Sequence, residues 1–134
     1  MVATTVEGTR SALGAAVPLA RGLSTGLVIV VPRIVTNAAE LTDRTESTEL
    51  MAKRYQEMAR ALDCEAAIEI CVGVGIRGLL ESLSATRAPI VVGGPVGRWL
   101  TSSEERFANR LVLAGCQVIF VASGANTTQR RVAA

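Results

Sequence analysis

The sequence predicts an α/β protein with a single open, mostly parallel five-stranded sheet and helices on both faces, which is a Rossmann-like architecture. Short apolar runs rich in β-branched residues alternate along the chain with stretches of helical period. This β-α-β-α-β-α-β-α-β order favours a parallel sheet with right-handed crossovers. A length of 134 residues suffices for one hydrophobic core and is short for two, so we expect one domain.

Apolar runs mark the strands. Residues 27–31, LVIVV, are continuously apolar, as in a parallel strand that is buried on both faces. Residues 66–72 alternate only partly between apolar and polar side chains. The five predicted strands cover residues 2–6, 27–31, 66–72, 90–92 and 118–121.

Apolar periodicity marks the helices between these strands. Met51, Tyr55 and Met58 are spaced to share one face of a helix, with charged residues mostly on the other face. Such a stripe is typical of a helix that packs on a core. The four predicted helices cover residues 9–21, 48–62, 76–83 and 102–114.

Three positions predict where helices begin or end. Ser102 followed by Glu105 forms a capping box at the start of the fourth helix. Gly115 stands where a left-handed residue commonly closes a helix. Pro18 lies inside the first helical stretch, and we expect it to kink or end that helix because proline lacks an N–H.

Composition excludes several classes of protein. With 49% apolar residues, 19% charged residues and a formal net charge of +2, the chain is not expected to be disordered or to carry the basic face of a nucleic-acid binder. Its apolar runs are shorter than the roughly 20 residues that a membrane-spanning helix needs. We therefore expect neither a nucleic-acid partner nor a membrane.

The cysteines and the missing histidine limit the chemistry. Cys64, Cys71 and Cys116 are widely spaced and form no C-x-x-C pair, so they favour reduced thiols and a cytoplasmic location over disulfides or zinc. The sequence has no histidine, which excludes Ser-His and Cys-His nucleophiles. Glu104 and Glu105 are consecutive on a helix and point about 100° apart, so they do not converge on one bond. No catalytic set can be assembled.

A complete G-x-G-x-x-G motif occupies residues 73–78, as in dinucleotide-binding proteins. Such a site also needs an acidic residue about 20 positions later, at the end of the next strand. That strand ends in residues 92–95, VGGP, with no carboxylate. The motif also follows the third predicted strand instead of the first, which disfavours an NAD-dependent enzyme.

A second glycine cluster, VVGGPVGR at residues 91–98, follows a buried strand directly. Its glycines offer bare backbone N–H groups, and Arg98 adds a positive charge. The hydroxyls of residues 101–103 stand at the start of a helix, where the dipole favours an anion. Together these groups form a candidate phosphate site, although glycines that only turn the chain and hydroxyls that only cap the helix explain the pattern equally well.

These motifs, in this order, resemble the universal stress protein family. The first strand leads into an acid-Gly-Thr turn at residues 6–9, and the fourth is followed by a G-x-x-G at residues 94–97. The third strand breaks at a glycine before a Leu-Leu-Glu helix, and LAGCQVIFV at residues 113–121 is similar to the family's final segment. The resemblance covers residues 2–122, so we expect one domain over residues 1–122 and a disordered tail over residues 123–134.

The resemblance implies an adenine-nucleotide-hydrolase-like fold that holds ATP or AMP, with Mg²⁺, across the ends of the first and fourth strands. Glu7 stands where the family has an aspartate, and Gly94 and Gly97 match its phosphate-loop glycines. The family's second Gly-Ser/Thr is absent here, and Ser102 and Ser103 are the candidate replacements. The candidate ligand residues are Glu7, Gly94, Gly97, Arg98, Ser102 and Ser103.

The final predicted strand, residues 117–122, is expected to lie at the edge of the sheet and to join two copies into a homodimer. The expected function is regulation or binding without catalysis, with a regulatory protein as a further partner. A nucleotide-free homodimeric interaction module of the same family is an alternative. A weak ATPase or an NAD-dependent enzyme is the alternative from another class.

Overall fold

The computed structural model describes residues 1–35, 46–97, 100–123 and 129–132. The helices are α1 (Val6–Gly22), α2 (Glu46–Arg60), α3 (Gly75–Ser84) and α4 (Ser103–Leu113). The strands are β1 (Leu27–Val35), β2 (Ala66–Val74), β3 (Ile90–Gly94), β4 (Val118–Ala122) and β5 (Gln129–Val132).

The strands form two hydrogen-bonded sheets that meet at the N-terminal segment. β1 and β2 pair in parallel, and β3 and β4 pair in parallel. Val2 bridges Val30 of β1 and Val92 of β3, in both cases in parallel. The Val2 N–H donates to the carbonyl of Val91 at 2.9 Å, and the Ala3 N–H donates to Val30 at 2.8 Å. The spatial order is therefore β2, β1, residues 1–3, β3, β4 and β5.

The prediction of one continuous five-stranded sheet is wrong in its detail, because the first strand shrinks to a single bridge on each side. The described residues give a two-stranded sheet and a three-stranded sheet. Thr5, which was predicted inside a strand, is the N-cap of α1, and its hydroxyl accepts the Gly8 N–H at 3.0 Å. This cap starts the helix at Val6 and leaves too few residues for a full strand.

β5 changes the predicted edge of the sheet. It pairs antiparallel with β4, from Val118 opposite Val132 to Val121 opposite Gln129. The strand expected at the edge, residues 117–122, therefore has β3 on one side and β5 on the other. Four residues of the segment that was expected to be a disordered tail supply this pairing, which satisfies the hydrogen-bonding groups along β4.

The helices cover both faces, as predicted. α1 and α2 share one core cluster, which includes Leu13 and Tyr55, while α3 and α4 share another, which includes Leu79 and Leu111. Within the part of the chain that the structure describes, no helix has the length and apolar character needed to cross a bilayer.

The capping signals at α4 are confirmed. Ser102 and Glu105 form the reciprocal capping box, and Gly115 has a φ of 95°. Pro18, by contrast, does not end α1, which continues to Gly22. Pro18 lies on the exposed side of α1, where water can reach the carbonyl of Gly14 that has lost its donor. Packing of the opposite, buried side of α1 offsets the missing hydrogen bond.

Candidate functional site

The order of the strands reverses between the N-terminal segment and β3. From this segment the chain passes through α1 to β1 and then β2 on one side, and returns through α3 to β3 and β4 on the other. In open α/β sheets a ligand binds at such a point, outside the carboxyl ends of the strands. Here those ends are Thr4, the end of β1 and Gly94.

On the side of the strand reversal that faces α1, backbone packing leaves no space for a ligand. A Cβ added to Gly8 would lie 2.4 Å from the carbonyl oxygen of Gly93, and one added to Gly93 would lie 2.0 Å from that of Gly8. The Thr4 hydroxyl donates to the Gly93 carbonyl at 2.5 Å. The fully buried Thr9 accepts the Thr4 N–H through its hydroxyl at 3.0 Å. No ligand atom fits between Gly8 and Gly93.

The other side of the strand reversal, which faces α3 and α4, is an open groove of about 330 Å³. We call it the switch groove. It lies at the starts of both helices, beside the end of the N-terminal segment. Its lining residues are Val2, Ala3, Thr4, Pro32, Ile34, Ile76, Leu79, Ser103, Glu104 and Phe107. A concave, mostly apolar site with a few polar groups, of this size, is typical of sites for small molecules.

Glu104 is the charged residue among the residues that line the switch groove. Its half-buried side chain lies against Gly94, since a Cβ added to Gly94 would be 2.5 Å from both the Cβ and the Cγ of Glu104. Its Oε2 accepts a hydrogen bond from the Ser103 hydroxyl at 3.1 Å. No lysine or arginine is among the described lining residues, so the groove carries negative charge.

The glycine loop after β3 is bound by a carboxylate of the protein itself. Oε1 of Glu105 accepts the Gly97 N–H at 2.8 Å and the Ser102 N–H at 3.2 Å. The Ser102 hydroxyl accepts the Glu105 N–H at 3.1 Å. A Cβ on Gly97 would lie 1.6 Å from the carbonyl oxygen of Leu100, so the loop folds closely on itself. Two donors of the predicted phosphate site are therefore already paired.

Two other cavities lie elsewhere. One, of about 210 Å³, is at the amino ends of the strands and is lined by residues such as Leu27 and Ile90. The other, of about 440 Å³, lies beside β2 and is lined by residues such as Glu49 and Ile68. Neither includes Thr4 or a residue of α4, so neither lies at the strand reversal.

The comparison with solved structures identifies the fold. A universal stress protein, whose crystal structure is of its complex with cAMP, superposes with a TM-score of 0.63 over 92% of this chain and 97% of its own, at 18% sequence identity. This chain has the universal stress protein fold. No protein-family model and no curated protein sequence matches it.

On this universal stress protein fold, the candidate ligand residues fall into three places. Ser103 lines the switch groove, and Gly94 lies beneath Glu104. Gly97 and Ser102 belong to the loop that Glu105 binds. Glu7 is exposed in the first turn of α1 and does not line the groove, because the helix begins one residue before it. Arg98 lies outside the described residues.

Several residues of the groove carry no motif in the sequence and were not predicted. Thr4, Pro32 and Ile34 follow or end the first two strand segments, and Phe107 lies one turn into α4. Their signal in the sequence is position alone, since each stands near the carboxyl end of a strand or the start of a helix. Glu104 was considered only as one of two consecutive helix carboxylates that do not converge on one bond, and its place over Gly94 depends on how α4 packs on β3.

The G-x-G-x-x-G motif forms the junction between β2 and α3. A Cβ on Gly73 would lie 2.4 Å from the backbone nitrogen of Leu79, so the glycine allows α3 to fold back closely on its strand. Gly75 begins the helix with a φ of 69°. In this universal stress protein fold the motif serves helix packing at the end of β2, as the resemblance implied, and one of its residues, Ile76, lines the switch groove.

The polyphosphate that the resemblance implied does not fit the described residues. Among residues 1–35, 46–97, 100–123 and 129–132 no group of three or more His, Cys, Asp or Glu could hold a metal ion. Glu104 covers Gly94, and the carboxylate of Glu105 accepts the hydrogen bonds of the Gly97 and Ser102 N–H groups. Phosphate groups at the loop would therefore meet the carboxylates of Glu104 and Glu105.

Proposed function

We propose that this chain is a cytoplasmic binding protein of the universal stress protein type, which holds an adenine-containing ligand in the switch groove without turning it over. The observation that carries this proposal is the groove itself. It is an apolar cavity of about 330 Å³ at the carboxyl ends of the strands, where their order reverses.

The walls of the groove suit a flat purine. Apolar side chains of the sheet, including Pro32 and Ile34, face the apolar residues of α3 and α4, including Leu79 and Phe107. An adenine ring buried there would contact these side chains, and the phenyl ring of Phe107 offers an aromatic surface. The structural neighbour with cAMP binds an adenine ligand on the same fold, and ATP and AMP, which the resemblance implied, share that ring.

The described groups support binding over catalysis. The sequence contains no histidine, and burial raises the pKa of both the Cys71 and the Cys116 thiols, which disfavours the reactive thiolate. The carboxylate of Glu105 is held by the backbone of its own loop. A ligand in the groove would join the starts of α3 and α4 to β1 and so stabilise one arrangement of these elements, which is how binding would regulate a partner protein.

The assembly that we propose is a homodimer formed at the end of the β3-β4-β5 sheet. β5 is the outermost described strand there. We therefore propose that two copies pair through the outer edge of β5 and not through β4. A nucleotide-free dimer that acts only through protein contacts is the second candidate, and it is favoured by the pairing of the loop donors with Glu105.

Thermal unfolding with millimolar ligands tests the proposal. Adenosine, cAMP, AMP and ATP are compared with guanosine, each with the wild-type chain and with two variants. Ile34→Trp fills the groove from an exposed position, and Val74→Trp is its control, because Val74 is similarly exposed on the neighbouring strand and does not line the groove. A ligand present at about 100 times its Kd adds roughly 2.7 kcal/mol of stability, or a few degrees in Tm.

We expect at least one adenine compound to raise the Tm of the wild type and of Val74→Trp, and to have no effect on Ile34→Trp. A rise that persists in Ile34→Trp would place the ligand elsewhere. If no adenine compound raises the Tm of the wild type, the nucleotide-free dimer becomes the better proposal.

A further inference from the structure

We propose that the switch groove selects an adenine ligand that carries no phosphate, an uncharged nucleoside such as adenosine, and discriminates against AMP and ATP. This inference rests on the proposed function and specifies its ligand. The carboxylates of Glu104 and Glu105 stand at the two places where a phosphate would bind.

The first place is the loop after β3. An anion bound there would need the N–H groups of Gly97 and Ser102, and both donate to Oε1 of Glu105 at 2.8 and 3.2 Å. Hydrogen bonds between backbone N–H groups and a carboxylate are of the strong, charge-assisted kind. A phosphate that displaced Glu105 would break two of them and would bring a second negative charge next to the displaced carboxylate.

The second place is the wall of the groove beside Gly94. Glu104 lies directly on Gly94, so the bare backbone that the glycine would otherwise present is covered. The carboxylate lines the groove together with the hydroxyls of Thr4 and Ser103, and the described lining residues include no lysine or arginine. A phosphate in the groove would therefore lie near a like charge that no lining cation offsets, in a partly desolvated site where repulsion is stronger than in water.

The same carboxylate suits a sugar. Glu104 accepts one hydrogen bond from Ser103, whereas a carboxylate has about four acceptor positions. The remaining positions can accept from ribose hydroxyls, the contact that an acidic residue makes with ribose in dinucleotide-binding folds. The apolar side chains of the groove can contact the purine, and the carboxylate of Glu104 can accept hydrogen bonds from the ribose hydroxyls. The groove is thus complementary to a neutral nucleoside.

Isothermal titration of the 134-residue chain with adenosine, AMP and ATP, without Mg²⁺ and at low ionic strength, tests the inference. We expect adenosine to bind at least tenfold more tightly than AMP, and ATP to bind more weakly still. The preference should shrink at high salt, because screening weakens the repulsion between the phosphate and the carboxylate.

Two variants locate the source of this selectivity. Glu104→Gln removes the charge, so the ratio of AMP to adenosine affinity should rise about tenfold. AMP is then no longer repelled, and adenosine loses the stronger, charge-assisted hydrogen bonds to its ribose. Glu81→Gln removes an exposed carboxylate on α3 that does not line the groove, and its ratio should equal that of the wild type.

The outcomes separate the inference from the proposed function. If AMP or ATP binds as tightly as adenosine or more tightly, or if Glu104→Gln leaves the ratio unchanged, the inference is overturned and adenine binding stands. If cAMP binds to the wild type and none of the three compounds does, the inference is overturned and adenine binding stands. If neither cAMP nor any of the three binds, the proposed function fails and the inference fails with it.

Discussion

Gly8 of α1 and Gly93 of β3 are in direct backbone contact at the point where the strand order reverses. A Cβ on either residue would lie within 2.4 Å of the carbonyl oxygen of the other. This contact allows the first turn of α1 to lie against the end of β3. It closes one side of the crevice and leaves the switch groove on the other side as the place for a ligand.

The contact predicts that Gly8→Ala and Gly93→Ala each destabilise the protein. The added methyl group meets backbone atoms that cannot rotate away, and overpacking of this kind costs about 1–3 kcal/mol or more. Gly14→Ala is the matched control, since Gly14 lies exposed in α1 with no atom within 4 Å of an added Cβ. It should stabilise the helix by about 0.5–1 kcal/mol. Urea unfolding measures all three, and an unchanged Gly8→Ala would contradict the described contact.

Glu105 is predicted to hold the loop after β3. Replacement by alanine removes the acceptor of the Gly97 and Ser102 N–H groups and should lower the free energy of unfolding by about 1–2 kcal/mol. Glu81→Ala, which removes an exposed glutamate from α3, should change stability by less than about 0.5 kcal/mol. Amide hydrogen exchange at Gly97 should accelerate in Glu105→Ala alone. Equal protection in both variants would mean that Glu105 does not order the loop.

The thiols of Cys71 and Cys116 are predicted to react slowly near neutral pH. Burial raises the pKa of both thiols. For Cys71 this effect exceeds the lowering by a hydrogen bond with Ser82, and the nearby Glu69 adds a further, smaller rise. Because the thiolate is the reactive form, alkylation should remain slow through the ordinary thiol range near pH 8.5 and accelerate above it. Mass spectrometry after iodoacetamide treatment measures each site, with urea-unfolded protein as the reference. Rapid labelling of Cys71 at pH 7 would contradict the prediction.

The proposed dimer should appear as a species of twice the chain mass of 14.0 kDa in sedimentation equilibrium. If β5 forms the interface, its outward backbone N–H groups take part in the pairing. Arg130 and Arg131 are neighbours in β5, so their N–H groups point to opposite edges of the strand. Of Arg130→Pro and Arg131→Pro, one should therefore abolish the dimer with little loss of stability. A monomer at all concentrations would exclude the assembly.

Much of the fold could be predicted from the sequence, because its signals are local. Continuous apolar runs predicted the cores of β1, β3 and β4, and β2 followed from its place in the alternation. The capping box at Ser102 and the glycine at position 115 predicted the ends of α4 closely. These features depend on residues within one turn or one strand of each other.

Other features depend on distant partners and could not be predicted in this way. Thr5 is β-branched and favours a strand, but its hydroxyl caps α1, and the N-terminal segment keeps a single bridge on each side. β5 has no apolar pattern and exists through its pairing with β4. Pro18 remains in a helix because the buried side of α1 packs on β3 and β4.

The candidate site shows the same division. The order of residues alone shows that glycines, hydroxyls and carboxylates follow the fourth predicted strand, and that the chain has no histidine for catalysis. What those groups contact depends on the packing of the folded chain. Packing of α4 on β3 places Glu104 over Gly94, and the fold of the loop turns two N–H groups toward Glu105. Spacing along the chain does not specify these contacts, because they arise only when the helix and the strand come together.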